Sequence, residues 1–239
     1  MIVDPEVSLV IPIYNEEEVL VKRLDYILSK TEAILNNFEI ITVENGSKDR
    51  TLSILNEYSR SVSKIKVVVC GTPDYGEAVR EGILRSRGPI VHICQLDFFD
   101  PDFFSESLET LSEENPLTIG SRNRRSFDRR PLERRILTVG LNLALKVFFD
   151  FKGTDTHGLK TFFRHRLIGY VENCKMRRGM FDTELVLRAQ YDGMEIIERA
   201  VRADEIRLMK NTYMQKIFRN LKDLVVMKGV FLKENVAKK

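Results

Sequence analysis

The chain has 239 residues, 43% of them apolar and 31% charged, with a formal net charge of +3. This is the composition of a globular protein, and it excludes a disordered or collagen-like chain. No run of about 18 apolar residues is present, so we expect no transmembrane helix. The three cysteines are widely spaced and fit neither a disulfide framework nor a zinc site, which indicates a reducing, cytoplasmic location.

The charges are unevenly distributed along the chain. Residues 1–119 hold 11 Lys and Arg against 21 Asp and Glu, a net charge of −10, whereas residues 120–239 hold 27 against 14, a net charge of +13. A basic half of this kind predicts contact with phosphate groups, a membrane surface or nucleic acid. Of these, nucleic acid is not expected, because the arginine-rich segment 122–135 has only Phe127 as an aromatic that stacks on a base.

The first half alternates between short apolar runs and amphipathic segments. The predicted strands cover residues 7–13, 39–43, 66–70, 90–96 and 117–119, and the predicted helices cover residues 17–36, 49–58, 75–87 and 103–111. Strands that are apolar throughout and separated by helices form a parallel sheet covered on both faces. We therefore predict an α/β fold with a Rossmann-like, doubly wound, mostly parallel sheet, whose ligand lies beyond the carboxyl ends of the strands.

Polar segments follow four of these strands, at residues 14–16, 44–47, 71–74 and at Asp97. Each segment alone has a second interpretation as a helix cap, and Ser47 or Asp49 is the predicted cap of the helix that follows. The carboxyl ends of parallel strands meet at one edge of a sheet. Four polar segments that follow such strands in order therefore favour a ligand site at that edge.

The alternation ends after Gly120. The predicted elements are then a helix over residues 131–149, a turn-rich segment over 153–158, a helix over 181–190, a strand over 194–201 and a helix over 214–231. We expect one domain over residues 1–205 and a basic amphipathic helical extension over residues 206–239. One interpretation is that this helix lies on an anionic membrane. The other is that it packs on protein, either on the domain itself or on a dimer or membrane partner. Both interpretations remain open.

Several ordered motifs carry a family resemblance. They are SLVIPIYNEE at residues 8–17, ITVENGSKDRT at 41–51, YGEAVREG at 75–82, GSR at 120–122, DTHGLK at 155–160 and FDTEL at 181–185. With these motifs the chain resembles family-2 glycosyltransferases, inverting enzymes of GT-A fold, and most closely their dolichyl- or polyprenyl-phosphate sugar synthase branch. The resemblance spans about residues 7–205. It implies transfer of a sugar from a nucleoside diphosphate to an acceptor.

The resemblance places the nucleotide sugar in the first half of the chain. The residues implied at the donor are Pro12, Tyr14, Glu16, Glu44, Asn45 and Gly76. Glu44 and Asn45 stand where the family has two aspartates. Oxygen atoms at these strand ends accept hydrogen bonds from the base and ribose, and the helix start at Gly76 offers N–H groups to an anion.

The family's metal motif is altered in this chain. Where the family has Asp-x-Asp, this sequence has Gln95-Leu96-Asp97, and Phe99 replaces a frequent glutamine ligand. The resemblance implies Mg²⁺ or Mn²⁺ held by Asp97 and Gln95, but a carboxamide lacks the charge that such an ion favours. Asp100 is a further candidate ligand or the cap of the next helix. Three interpretations stay open: weak metal binding, arginines that neutralise the diphosphate, or a non-catalytic nucleotide-sugar-binding or scaffold protein.

The second half supplies the implied acceptor site. Arg134, Thr138 and Asn142 are spaced i, i+4, i+8 and so line one helix face, which resembles the branch's acceptor-phosphate helix. Arg122 and Lys160 are further phosphate-binding candidates, since guanidinium groups bind phosphate bidentately. A lipid phosphate acceptor, used at the cytoplasmic face of a membrane, is the resulting expectation.

The implied reaction is a direct displacement that inverts the anomeric carbon. The candidate catalytic residues are Asp97, Arg134, Asp182 and Glu184. An ionised lipid phosphate needs positioning and charge neutralisation but no strong base, whereas a hydroxyl acceptor would use Asp182 or Glu184 as general base. Of the histidines, His92 is expected to be a structural core residue, and His157 is expected near either substrate.

Overall fold

The computed structural model describes residues 4–121, 132–201 and 213–236, and of residues 132–138 and 213–218 only the backbone. Strands and helices alternate along most of this part of the chain. The elements are β1 (Val7–Ile13), α1 (Leu20–Glu32), β2 (Phe38–Asn45), α2 (Thr51–Ser61), β3 (Ile65–Cys70), α3 (Tyr75–Arg85), β4 (Ile90–Ile93), α4 (Pro101–Thr110), β5 (Leu117–Ser121), α5 (Leu132–Phe149), β6 (Lys160–Phe163), α6 (Arg164–Asn173), α7 (Gly179–Tyr191), β7 (Ile197–Ala200) and α8 (Tyr213–Lys233).

The strands form one mixed sheet in the order β3-β2-β1-β4-β6-β5-β7. All neighbouring pairs are parallel except those of β6, which runs antiparallel to both β4 and β5. The predicted doubly wound, mostly parallel sheet is confirmed. The strand order reverses direction between β1 and β4, and in such sheets the ligand crevice lies beyond the carboxyl ends of the strands at this point.

Helices cover both faces of the sheet because successive residues of a strand point to opposite sides. In β1, Leu9 and Ile11 belong to the core beneath α1, α2 and α4, whereas Val10 belongs to the core beneath α3, α6 and α7. The second core is tight: a Cβ at Gly82 of α3 would lie 2.4 Å from Val10 Cγ1. The first strand is thus buried on both sides, which explains its apolar run.

Two elements, β6 and α6, have no counterpart in the sequence prediction. β6 has four residues and begins with Lys160, a residue that apolar periodicity does not identify as strand. Its charge is accommodated by a contact distant in sequence, an ion pair with Asp182 of α7. The predicted strand over residues 90–96 is also too long, since Gln95 and Phe98 close a turn after Ile93.

The last helix packs on the domain. Leu224, Met227 and Phe231 of α8 are buried in the same core as Phe149 of α5. The predicted boundary between residues 205 and 206 lies outside the described residues. Within the described part of the chain, no helix is long and apolar enough to cross a bilayer.

Candidate functional site

The loops that follow β1 and β2 are joined by hydrogen bonds in both directions. The Asn15 N–H donates to Ser47 Oγ over 3.0 Å, and the Lys48 N–H donates to Asn15 Oδ1 over 2.8 Å. The Glu16 N–H donates to Thr51 Oγ1 over 2.8 Å. Two of the motifs in the resemblance therefore hold each other at the carboxyl edge of the sheet.

Acidic side chains extend this connection. The Glu17 N–H donates to one Asp49 oxygen over 3.2 Å, and the Arg50 N–H donates to Glu17 Oε2 over 3.0 Å. The other Asp49 oxygen accepts from the Thr51 N–H at the first residue of α2. Of the two predicted caps, Asp49 thus binds the helix start while Ser47 binds the β1 loop instead.

The donor candidates at the end of β2 are buried and already hydrogen-bonded. Glu44 Oε1 accepts from the Ser47 N–H at 2.5 Å, and Asn45 Oδ1 accepts from the Asp74 N–H at 2.8 Å. These side chains shape the loops at the edge of the sheet. Of the other donor candidates, Tyr14 is exposed, Pro12 is half-buried and Glu16 is buried.

Gly76 lies where α3 meets the start of α7. A Cβ at this position would lie 2.7 Å from the Arg178 nitrogen and 2.7 Å from Phe181 Cβ, so only glycine fits. The Asp74 carboxylate caps the helix by accepting from the Glu77 N–H. The Asp74 carboxylate thus takes one N–H of this helix start, packing accounts for the glycine, and anion binding here stays a prediction.

The altered metal motif forms a tight turn after β4. The Gln95 N–H donates to the Phe98 carbonyl over 3.2 Å, and the Phe98 N–H donates back to the Gln95 carbonyl over 3.0 Å. Asp97 lies at the tip of this turn. It lines a cavity of about 460 Å³ between the turn and α1.

The residues around Asp97 do not fit the predicted divalent ion. Two cationic residues, Arg23 and Lys30, line the same cavity, and the Asp100 carboxylate accepts from two N–H groups as the cap of α4. In the described part of the chain, no group of three or more His, Cys, Asp or Glu side chains is placed to hold a metal. Mg²⁺ and Mn²⁺ favour several charged oxygen ligands, and this turn does not offer that set.

On the acceptor side, Lys160 and Asp182 form a buried ion pair. Their charged atoms lie 3.0 Å apart, and the Lys160 ammonium also donates to the Gly158 carbonyl over 3.0 Å. Lys160 is therefore engaged with the protein rather than presented to a phosphate. Asp182 is likewise already paired with a cation inside the protein.

Glu184 has a different environment from that expected of a base. One of its oxygens accepts from the Lys175 and Met176 N–H groups at 2.8 and 2.6 Å, and the other binds the Arg188 guanidinium at 2.7 Å. The side chain is fully buried. Glu184 thus anchors the loop before α7, and Arg188 continues the network to Glu234 at the end of α8.

Thr154, which the sequence analysis did not single out, joins three elements of the acceptor side. Its carbonyl accepts from Asn142 Nδ2 at 2.5 Å, and its hydroxyl lies 2.7 Å from Ser121 Oγ at the end of β5. Glu198 of β7 accepts from both the Thr154 N–H and its hydroxyl. Asn142 is therefore brought to the acceptor motif. Arg122 and the side chains of Arg134 and Thr138 lie outside the described residues.

The two central histidines differ in role. His92 is fully buried beside Thr161, and burial lowers its pKa to about 3, which confirms it as a neutral core residue. His157 belongs to the acceptor motif: its N–H donates to Asp155 Oδ1 over 2.9 Å. A Cβ at Gly179 would lie 2.9 Å from His157 Nε2, so the start of α7 lies against this motif.

Comparisons with known proteins agree with this geometry. The sequence model of the family described as Glycosyl transferase family 2 matches residues 8–182. A dolichyl-phosphate beta-glucosyltransferase of Trichomonas vaginalis is 30% identical over 218 residues, which cover 84% of this chain and 66% of that protein. Its counterpart in Homo sapiens is 31% identical over 221 residues, covering 84% and 68%. The chain thus spans about two thirds of the length of these curated relatives.

Solved structures show the same fold. Glucosyl-3-phosphoglycerate synthase from Mycobacterium tuberculosis, in complex with UDP, superposes with a TM-score of 0.67 at 18% identity, covering 94% of this chain and 80% of that chain. This likeness confirms the predicted GT-A fold. Since the family description matches well over half of the chain, the protein belongs to glycosyl transferase family 2.

Proposed function

We propose that the protein transfers a sugar from a nucleoside diphosphate to an acceptor with inversion, and that the acceptor is a dolichyl or polyprenyl phosphate. Family membership and the names of the curated relatives support this proposal. The observation that carries it is the hydrogen-bonded connection of the β1 and β2 loops beside the point where the strand order reverses.

The donor site is assigned to this edge of the sheet. Tyr14 offers an exposed ring to the base or ribose, and Glu16 and Glu44 lie on the connected loops beside it. A solved structure of the mycobacterial synthase holds UDP-glucose with Mn²⁺ and phosphoglyceric acid. A uridine nucleotide is therefore the first donor to test. Because the residues around Asp97 do not offer the charged ligand set of a divalent ion, no step of the proposed reaction is assigned to a metal.

The reaction forms one bond and breaks one. An oxygen of the acceptor phosphate attacks the anomeric carbon, and the bond from that carbon to the diphosphate oxygen breaks, with its electron pair leaving on the nucleoside diphosphate. No proton has to be removed from an ionised phosphate, so rate depends on positioning and charge neutralisation. The pairing of Asp182 with Lys160 and the burial of Glu184 agree with a reaction that has no general base.

An exposed apolar surface supports a lipid acceptor. Eight of the twelve exposed large hydrophobic residues in the described part of the chain belong to α5 and α8, which pack side by side. They are Val139, Leu143, Val147, Phe148, Leu221, Val225, Val226 and Leu232. Of the lysines whose side chains the structure describes, four lie on the same two helices, at positions 146, 222, 228 and 233. An apolar face with basic residues suits the cytoplasmic surface of an anionic membrane.

The test is a transfer assay. The protein is incubated with labelled UDP-glucose or GDP-mannose and dolichyl phosphate in detergent, with free dolichol as the matched control acceptor. We expect labelled lipid with dolichyl phosphate alone, and a product whose anomeric configuration is opposite to that of the donor. Nucleotide binding without transfer to either acceptor would contradict the proposal and support the non-catalytic alternative.

A further inference from the structure

Arg178, at the start of α7, has an unusual backbone. Its φ is 54° and its ψ is −145°, a combination that only glycine adopts readily. The other non-glycine residues with positive φ in the described part of the chain are Asn15, Asp150 and Asn235, which are residue types that tolerate it better. Strained backbone of this kind persists where the surroundings hold it, and it clusters at functional sites.

The surroundings of Arg178 hold it against the donor side. Its N–H donates to Asp74 Oδ1 over 2.9 Å, and the Asp74 N–H in turn donates to Asn45 Oδ1. A Cβ at Gly76 would lie 2.7 Å from the Arg178 nitrogen and 2.8 Å from its carbonyl oxygen. The backbone of Arg178 is therefore fixed directly to the loop that follows β3, and through Asp74 to Asn45 at the end of β2.

The next residue faces the acceptor side. Gly179 packs against the ring of His157, which belongs to the motif at residues 155–160. The pair Arg178–Gly179 thus lies between the donor edge and the acceptor motif. In the proposed reaction, the anomeric carbon has to lie between these two regions, with the diphosphate bonded to it on the donor side.

The Arg178 side chain is exposed and has no ion pair with any side chain in the described ranges. The turn after β4 does not offer the ligand set of a divalent ion, so the charge of a bound diphosphate needs another counterpart. We infer that the Arg178 guanidinium binds the diphosphate of the donor and stabilises it as it leaves. A guanidinium binds phosphate oxygens bidentately, and a fixed backbone positions it before the reaction. This inference rests on the proposed function.

Calorimetry with UDP and with uridine, in EDTA, tests the inference. Wild-type protein should bind UDP at least about tenfold more tightly than uridine, because a hydrogen-bonded charge pair has an effect of this order. Arg178→Ala should lower the affinity for UDP by about tenfold or more and leave that for uridine unchanged. The matched control is Arg177→Ala, because Arg177 is a neighbouring exposed arginine whose backbone φ is not positive. This variant should keep the wild-type preference for UDP over uridine.

A second variant separates function from stability. Arg178→Gly should relieve the strained backbone and raise Tm by about 2–4 °C, while it loses the preference for UDP. Unchanged UDP affinity in both Arg178 variants, or an equal loss in Arg177→Ala, would overturn the inference while the proposed function stands. If the wild-type protein binds neither UDP nor GDP run in parallel, the proposed function fails and this inference fails with it.

Discussion

The Lys160 ammonium and the Asp182 carboxylate lie 3.0 Å apart, with side chains that are 0% and 2% exposed. The pair joins β6, which runs antiparallel to both of its neighbours, to α7. Removing two charges from water is costly, and their mutual attraction offsets this cost only while both partners are present. The energetic consequence of losing one partner therefore differs from that of losing both.

Substitution of the pair tests this relationship. Lys160→Met alone should destabilise the fold by about 3–5 kcal/mol, because it leaves a buried, unpaired carboxylate. The double variant Lys160→Met with Asp182→Leu should be more stable than Lys160→Met alone, since no buried charge remains. Urea unfolding of the two single variants and the double variant gives the coupling energy. Additive effects of the single substitutions would show that the two charges do not interact.

The connection between the β1 and β2 loops is tested at Asn15. Its φ is +52°, and its side chain accepts from the Lys48 N–H. Asn15→Ala removes that acceptor and places alanine in a left-handed conformation, so we expect a loss of about 1–3 kcal/mol and several-fold weaker nucleotide binding. Asn56→Ala, on the exposed face of α2, is the control and should change neither quantity. Equal nucleotide affinity in both variants would separate these loops from the donor site.

The motifs of the first half predicted the right edge of the sheet but not the partners of their side chains. Residue type identified Glu44 and Asn45 as hydrogen-bond acceptors. A sequence pattern does not show whether the donor of that hydrogen bond is a ligand or a backbone N–H. In the structure they accept from Ser47 and Asp74. The carboxyl-edge location follows from strand periodicity alone, whereas hydrogen-bond partners depend on loop geometry that is fixed only when the sheet forms.

The acceptor side was harder to predict for a related reason. β6 is short and begins with a charged residue, and the partner that allows its burial, Asp182, is 22 positions away. Arg178 carries no sequence signal at all, because positive φ is normally predicted from glycine or asparagine. Its conformation depends on Asp74 and Gly76, more than 100 residues earlier in the chain.

At the opposite end of the sheet, Glu39 makes stability depend on pH. Burial alone would raise its pKa, but hydrogen bonds from Ser8 and Arg87 and the charge of Lys66 lower the pKa below the ordinary value of 4.5. A lowered pKa means that the carboxylate stabilises the fold above its unfolded pKa, and that this contribution is lost as pH falls through the folded pKa. Wild-type protein should therefore exceed Glu39→Gln in urea midpoint at pH 7, and the gap should narrow below about pH 4. A gap independent of pH would contradict this assignment.

The metal motif is tested by restoring a carboxylate. Gln95→Asp adds a charged oxygen ligand near Asp97 and should strengthen Mn²⁺ binding in the presence of UDP, as measured by calorimetry. The substitution Asp97→Ala in that background should abolish the gain. Mn²⁺ affinity that is already high in the wild-type protein would contradict the conclusion that this turn does not fit a divalent ion.

The surface of α5 and α8 is tested on vesicles. Truncation before α8 is a poor test because it removes Phe231 and Met227 from the core. Leu143→Glu and Val225→Glu change exposed residues instead, at 62% and 73% exposure, and should weaken binding to vesicles that contain phosphatidylserine.

Val21→Glu, at an exposed position of α1, is the matched control for these two variants and should bind as the wild type does. Binding should also fall steeply with salt, because screening at 0.15 M acts over about 8 Å and each basic residue near the surface contributes about 1 kcal/mol. Equal binding to neutral and anionic vesicles would reject charge-dependent membrane contact. If Val21→Glu loses vesicle binding to the same extent, the effect is not specific to α5 and α8. A protein partner would then be the better explanation of the apolar face of these two helices.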